Sequence, residues 1–257
     1  MDHPADTPVA KSTYITNPLQ MIQPSANALG VNIGTLFALW GLFLLPILFI
    51  IPAIAMVFLF KLNLVGFILG ALAIIAMIAI SLVSLPAYTI ILLASARNQK
   101  VSLRNVLSQG RKFIWRFIGI GVLTILAVLG GLILFIIPGL IFIAWFSLSS
   151  YVLVNEDLGV VASMKRSREL VRGRVWEFWA LMSLANAANI IPFIGGIVSF
   201  VLSILLVPVM AIKYLQLTEI KVEDRPNVHW ANYVVLVVMI FAGSIAARTQ
   251  INLFDEL

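Results

Sequence analysis

Residues 33–60 read IGTLFALWGLFLLPILFIIPAIAMVFLF, 28 positions without one charged side chain. About 20 helical residues cross the hydrocarbon core of a bilayer, about 30 Å thick, so this run is long enough to span with residues to spare. Pro46 and Pro52 lie inside it, and the surplus length predicts one kinked or tilted helix rather than two spans. The same character extends outward through the 257-residue chain, which is 61% apolar and 11% charged with a mean hydropathy of +1.07. A soluble domain needs about 25% charged residues to cover its surface. Composition therefore excludes a soluble globular domain, a coiled coil and a disordered chain, and predicts an all-α polytopic membrane bundle.

Five further runs read as spans: Leu64–Ala94, Phe113–Ile137, Leu140–Val154, Val175–Ile191 and Ile197–Ile212. Turns fall at Lys61 and Asn63, at Pro138-Gly139 and at Pro192–Gly196. A seventh run, Ala231–Ala247, is at the lower limit for crossing, and a position along the interface suits its length as well. Residues 1–31 form a polar N-terminal segment in which Asn17-Pro18 starts a short surface helix ending near Leu29. Residues 32–247 form the transmembrane domain and 248–257 a tail. The first apolar run is too long, and starts too late, for a cleaved signal peptide, which predicts a retained anchor.

Charge placement orients this bundle. With the N-terminus cytoplasmic, fifteen of the seventeen basic residues fall in inner segments, leaving Lys61 and Arg248 outside. This positive-inside bias predicts a cytoplasmic N-terminus in the cell membrane. It also accounts for the net charge of +6 without nucleic acid as a partner. The unit of inner basic segment, span, turn and returning span recurs. A shift of 63 residues superposes Leu107, Gly110 and Arg111 on Leu170, Gly173 and Arg174, as expected of three tandem hairpins or of loops that imitate a repeat.

Two inner segments carry the chemistry that can be read. In Ser102–Ile114, Leu103, Val106, Leu107, Phe113 and Ile114 share one helical face, with Arg104, Ser108, Arg111 and Lys112 opposite or at its borders. Such a helix lies flat at the interface before the chain enters the membrane at Trp115. In Val160–Arg174, Lys165, Arg168 and Arg172 form a basic stripe and Val160, Met164 and Val171 an apolar one. With the neighbouring Arg166 and Arg174, these cations are the candidate contacts for lipid headgroups or a partner protein.

Within the spans no ionisable residue lies near a centre, which argues against a proton-coupled pump or a carrier of charged solutes. Asn186 and Asn189 share a helix face and are the candidate intramembrane polar contact, read first as an interhelical hydrogen bond. Gly66 and Gly70 make a small-residue packing contact. The chain has no cysteine, and its two histidines, His3 and His229, stand apart, so no metal or cofactor is expected. Glu156-Asp157 reads as loop charge, because adjacent helical residues diverge by about 100°.

Ile137-Pro138-Gly139-Leu140, then Tyr151 through Glu156, then Ala162 through Trp176 resemble a family of bacterial and archaeal membrane domains. That family is the membrane domain associated with glycerophosphoryl diester phosphodiesterases, with related YciC-like proteins. Arg166-Ser167, Leu170, Gly173 and Trp176 occupy its motif positions. The resemblance covers about forty residues well and implies a helical fold, the seventh run departing from its usual six. Phosphodiesterase activity is not implied, since the soluble barrel that carries it, with its histidine and carboxylate motifs, has no counterpart here. The expectation is a non-enzymatic protein that organises anionic lipids, copies of itself or partner membrane proteins at the cytoplasmic leaflet. The alternative is a carrier or exporter of an apolar or lipid-like solute.

Overall fold

A computed structural model describes residues 14–58, 63–184 and 195–220, together with 231, 233–235 and 237–239. Among the described residues every regular element is helical: α1 (Ile22–Phe58), α2 (Asn63–Ala96), α3 (Leu103–Gly110), α4 (Ile114–Leu134), α5 (Ile136–Phe146), α6 (Ser149–Glu156), α7 (Val160–Val171), α8 (Val175–Leu184), α9 (Gly195–Leu205) and α10 (Val209–Glu219). Among the described residues five stretches are long and apolar enough to cross a membrane: Pro18–Val57, Leu64–Ala96, Leu103–Leu134, Ile137–Glu156 and Val198–Glu219. The chain is an all-α bundle of the membrane type.

Asn17 starts the fold as expected. Its side chain accepts a hydrogen bond from the Leu19 amide at 3.0 Å, and Pro18 opens a 3-10 turn that runs into α1. The backbone stays helical through Pro46 and Pro52, and the only non-helical residue inside α1 is Asn32 (φ −126°, ψ 24°). The Asn32 amide donates to Ser95 Oγ (3.0 Å) and to the Gln99 carbonyl (2.7 Å), and its oxygen accepts from the Val101 amide (2.9 Å). One side chain thus ties the break in α1 to the end of α2.

Three of the apolar helical stretches are entered through a short helix and a break. Residues 22–31 precede Asn32, α3 precedes a 3-10 turn at Arg111–Phe113, and α7 precedes Gly173 with φ +79°. Gly110 and Gly173, superposed by the 63-residue shift, are glycine for different reasons. A Cβ on Gly110 would lie 3.1 Å from the Ala87 amide nitrogen and 3.3 Å from the Val83 carbonyl, so α3 rests directly on α2. Gly173 needs its left-handed backbone conformation.

Two turns lie elsewhere than read from sequence. The second hairpin reverses at Phe135 (φ −163°, ψ 151°), and Pro138 belongs to the first turn of α5, where its missing amide costs nothing. The segment after Lys213, expected as a loop, is helical to Glu219, and the chain breaks instead between Leu205 and Val209.

The core sits at one end. Leu36, Ile91, Val106, Leu148, Val152, Leu170, Phe178, Tyr214 and Leu217 pack in one cluster, and all come from the ends of helices that bear the charged segments. Away from it, Leu48, Ile51, Leu64 and Phe67 of the first hairpin and Ile133, Leu134 and Phe135 of the second are more than half exposed. Apolar surface on this scale is intolerable in water and costs nothing against acyl chains. The 34 residues of α2 measure about 51 Å, about 20 Å more than the hydrocarbon core, so the shared core reaches headgroup level when the arms lie in lipid.

Candidate functional site

The surface of this basic end is built by α3 and α7. Val106 of α3 is buried and Leu103 and Leu107 pack on the core, which turns Arg104, Asn105, Ser108 and Gln109 outward. Arg111 and Lys112 follow in the exposed 3-10 turn, and Trp115 beyond them is 82% exposed, as an aromatic residue anchored at a lipid interface would be. In α7, Ser163, Met164, Ser167, Leu170 and Val171 face inward, leaving Lys165 and Arg168 on the solvent side, with Arg172 just past the helix end. The α7 helix is fixed by Ser167 Oγ, which accepts from the Leu148 amide at 3.2 Å and donates to the Trp145 carbonyl at 2.5 Å. Its N-terminus rests on α4, where Val160 meets Gly119.

The eight expected cations do not form one set. Among the described residues Arg104, Arg111, Lys112, Lys165 and Arg172 are exposed and make no ion pair; Arg168 is exposed and stacks on Trp145, its guanidinium carbon 4.4 Å from the ring centroid. Arg166 faces two carboxylates, Glu156 at 3.6 Å and Glu169 at 3.5 Å. Arg174 is a correction: only 9% exposed, it turns inward to a buried carboxylate and presents nothing to a headgroup. Asn186 and Asn189 lie outside the described residues, as does most of the Ala231–Ala247 run.

Beneath this surface lies a charge cluster that sequence reasoning missed. Glu177, fully buried in the first turn of α8, pairs with Arg174 at 3.3 Å and with Lys213 of α10. The Tyr14 hydroxyl lies 2.8 Å from both carboxylate oxygens and shares its proton between them, while accepting from Arg174 Nη1 at 2.6 Å. Lys213 Nζ donates to the Ile15 carbonyl at 2.6 Å and lies 3.8 Å from the Tyr14 ring centroid. Two cations therefore face one carboxylate, and the ring face and a backbone carbonyl supply the remaining negative character. Burial first, and then the Glu177 charge, hold the Tyr14 phenol well above its ordinary range. The cluster clamps the segment before α1 onto α8 and α10, helped by Tyr233, whose hydroxyl donates to the Thr16 carbonyl. The bundle interior at this end is thus charged, although no span has an ionisable residue at its centre.

A second polar network joins the helix ends. Arg97 donates to Asn155, whose amide donates to the Tyr214 hydroxyl at 2.9 Å; Tyr214 in turn donates to Glu156 at 3.0 Å. Asp157, in a left-handed conformation (φ 48°), turns away from Glu156 and pairs with Arg116. The adjacent carboxylates have separate partners and share no reacting site. Among the described residues no three His, Cys, Asp or Glu side chains are grouped to hold a metal ion. No family model, no curated protein and no solved structure matches the chain.

Proposed function

We propose that this chain is a multi-pass protein of the cell membrane that gathers anionic lipid at the cytoplasmic leaflet, without catalysing a reaction. The N-terminus is cytoplasmic in this reading, and six spans form three hairpins, with Ala231–Ala247 as a further C-terminal helix. The observation that carries it is the exposure of Arg104, Arg111, Lys112, Lys165, Arg168 and Arg172 beside Trp115, at the end where the hairpins share their core. Each exposed cation contributes about 1 kcal/mol toward an anionic leaflet. Arg166 and Arg174 are left out, because carboxylates of the chain already face them. The resemblance to the phosphodiesterase-associated membrane domains implies a helical membrane fold and adds no reaction.

The test is lipid-resolved quenching. Protein in bilayers mixing phosphatidylcholine and phosphatidylglycerol is titrated with brominated versions of each lipid, and a Trp115→Phe control isolates the Trp115 signal. Brominated phosphatidylglycerol quenches Trp115 more strongly than brominated phosphatidylcholine, and the difference disappears when the six cations are neutralised together. Equal quenching in the unaltered protein refutes the proposal.

A second reading, a carrier of an apolar or lipid-like solute, draws on one observation. A lateral groove of about 540 Å³ between the far ends of α1 and α2 is lined by Ile50, Ile54, Val57, Gly66, Phe67 and Gly70, among others. Flux of a fluorescent lipid that is unchanged when Gly70→Leu fills the groove removes this reading.

A further inference from the structure

Midway along the first hairpin, on the side toward the basic end, α1 and α2 part to leave a cavity of about 200 Å³ walled by Leu39, Trp40, Ser84, Leu85 and Tyr88. Three of these five side chains carry hydrogen-bond donors. The Ser84 hydroxyl is buried without a partner, and among the described residues neither the Trp40 indole nor the Tyr88 hydroxyl makes a hydrogen bond. The buried Ser84 hydroxyl is costly to leave unpaired, and the half-buried Trp40, which has no accepting capacity, cannot take its proton.

The volume is below the roughly 300 Å³ at which drug-sized pockets begin, so it accepts a short segment of a molecule whose remainder lies elsewhere. Leu85, at the rim, is 56% exposed and joins the cavity to the lipid-facing surface of the hairpin. Trp40 lies eight residues beyond the break at Asn32, about 12 Å along the helix. The close contact of Gly110 with Val83 and Ala87 brings Arg111 and Lys112 alongside the same turns of α2. At 100° per residue, the mean direction of Val83 and Ala87 is about 100° around α2 from that of Ser84 and Tyr88. The turn that carries Arg111 and Lys112 thus packs on the face of α2 adjoining the one that bears Ser84 and Tyr88.

We propose that this cavity holds an ester carbonyl of a membrane glycerophospholipid, accepting hydrogen bonds from Tyr88, Trp40 and Ser84, while Arg111 and Lys112 hold the phosphate of the same molecule. The inference rests on the lipid-gathering role above and names the part of the lipid that is gripped.

The experiment separates the two. The full chain is placed in bilayer nanodiscs with equal amounts of diacyl phosphatidylglycerol, its dialkyl ether analogue, which lacks the carbonyls, and diacyl phosphatidylcholine, and retained lipid is counted by native mass spectrometry. The unaltered protein retains the diacyl form about tenfold over the ether. Ser84→Ala with Tyr88→Phe, and separately Trp40→Phe, bring the ratio toward one while the preference for phosphatidylglycerol over phosphatidylcholine persists. Equal retention of ester and ether by the unaltered protein, or an ester preference that survives both variants, overturns the cavity assignment. Loss of headgroup preference with ester preference intact overturns the proposed function instead.

Discussion

Replacing Glu177 by Gln tests the buried cluster most sharply, because it removes charge and almost no volume. Lys213 then remains 0% exposed without the carboxylate it pairs with. Breaking a buried pair by removing one partner costs about 3–5 kcal/mol, chiefly because the orphaned charge stays desolvated. In Lys213→Met, Glu177 keeps Arg174 and Tyr14, but two charged hydrogen bonds go, to Glu177 and to the Ile15 carbonyl, each worth about 1.5–3 kcal/mol. The double variant decides the matter. Once Glu177→Gln has removed the carboxylate, Lys213 is a liability, so adding Lys213→Met restores stability relative to Glu177→Gln alone. Denaturant unfolding in mixed micelles, followed by circular dichroism, measures all three. The chain has no cysteine, so Ile15→Cys gives a single thiol whose alkylation rate reports release of the clamped segment. Glu177→Gln and Lys213→Met both accelerate that alkylation. A Glu177→Gln variant within 0.5 kcal/mol of the unaltered protein (roughly the spread of surface substitutions), or a double variant less stable than either single one, refutes the reasoning.

Three further outcomes follow from local geometry. Asn32→Ala leaves the Val101 amide without its acceptor and costs about 1–3 kcal/mol in the same unfolding assay, whereas a mere surface asparagine would cost nothing measurable. Gly131→Ala places a methyl 2.8 Å from Phe142 Cδ2 and 2.9 Å from the Gly139 backbone, a clash costing about 1–3 kcal/mol; Gly121→Ala, with open space around it, is neutral or slightly stabilising. The raised Tyr14 phenol binds its proton more tightly in the folded state than in the unfolded one, where it titrates near pH 10. Its contribution is complete below about pH 10 and is lost as pH rises further, by at most about 1.4 kcal/mol per unit. Unfolding measured from pH 9 to 11.5 therefore shows an alkaline loss that is smaller in Tyr14→Phe.

Signals carried by consecutive residues were legible in the sequence. Apolar runs marked the long helices, the periodicity of Leu103, Val106 and Leu107 marked α3, and the spacing of Lys165 and Arg168 marked the outer face of α7. What escaped was set by contacts between distant segments. Lys213 reads as the start of a loop because a lysine ends an apolar run, yet Val209, Ala211, Tyr214 and Leu215 flank it in a buried helix. Its counter-charge lies 36 positions earlier, a pairing no local pattern encodes. The i,i+3 spacing of Arg174 and Glu177 was visible, and it marks an ion pair only once Val175 is known to begin a helix. Asn32 looked like one more polar residue before a span. Its role as a substitute for backbone hydrogen bonds emerges only when Ser95, Gln99 and Val101 are beside it. Pro138-Gly139 misled for a simpler reason, since a proline that breaks a helix interior is welcome in a first turn.

The central claim is that the exposed cations of α3, its following turn and α7 select anionic lipid. Native mass spectrometry of the full chain, released from bilayers of equal phosphatidylglycerol and phosphatidylcholine, measures that selection by the lipids it retains. Several phosphatidylglycerol molecules are expected for each phosphatidylcholine. Equal numbers are expected after Arg104, Arg111, Lys112, Lys165, Arg168 and Arg172 are neutralised, with Arg166 and Arg174 left in place. Retention in the bilayer ratio by the unaltered protein, or an anionic preference that outlasts the six substitutions, contradicts that claim.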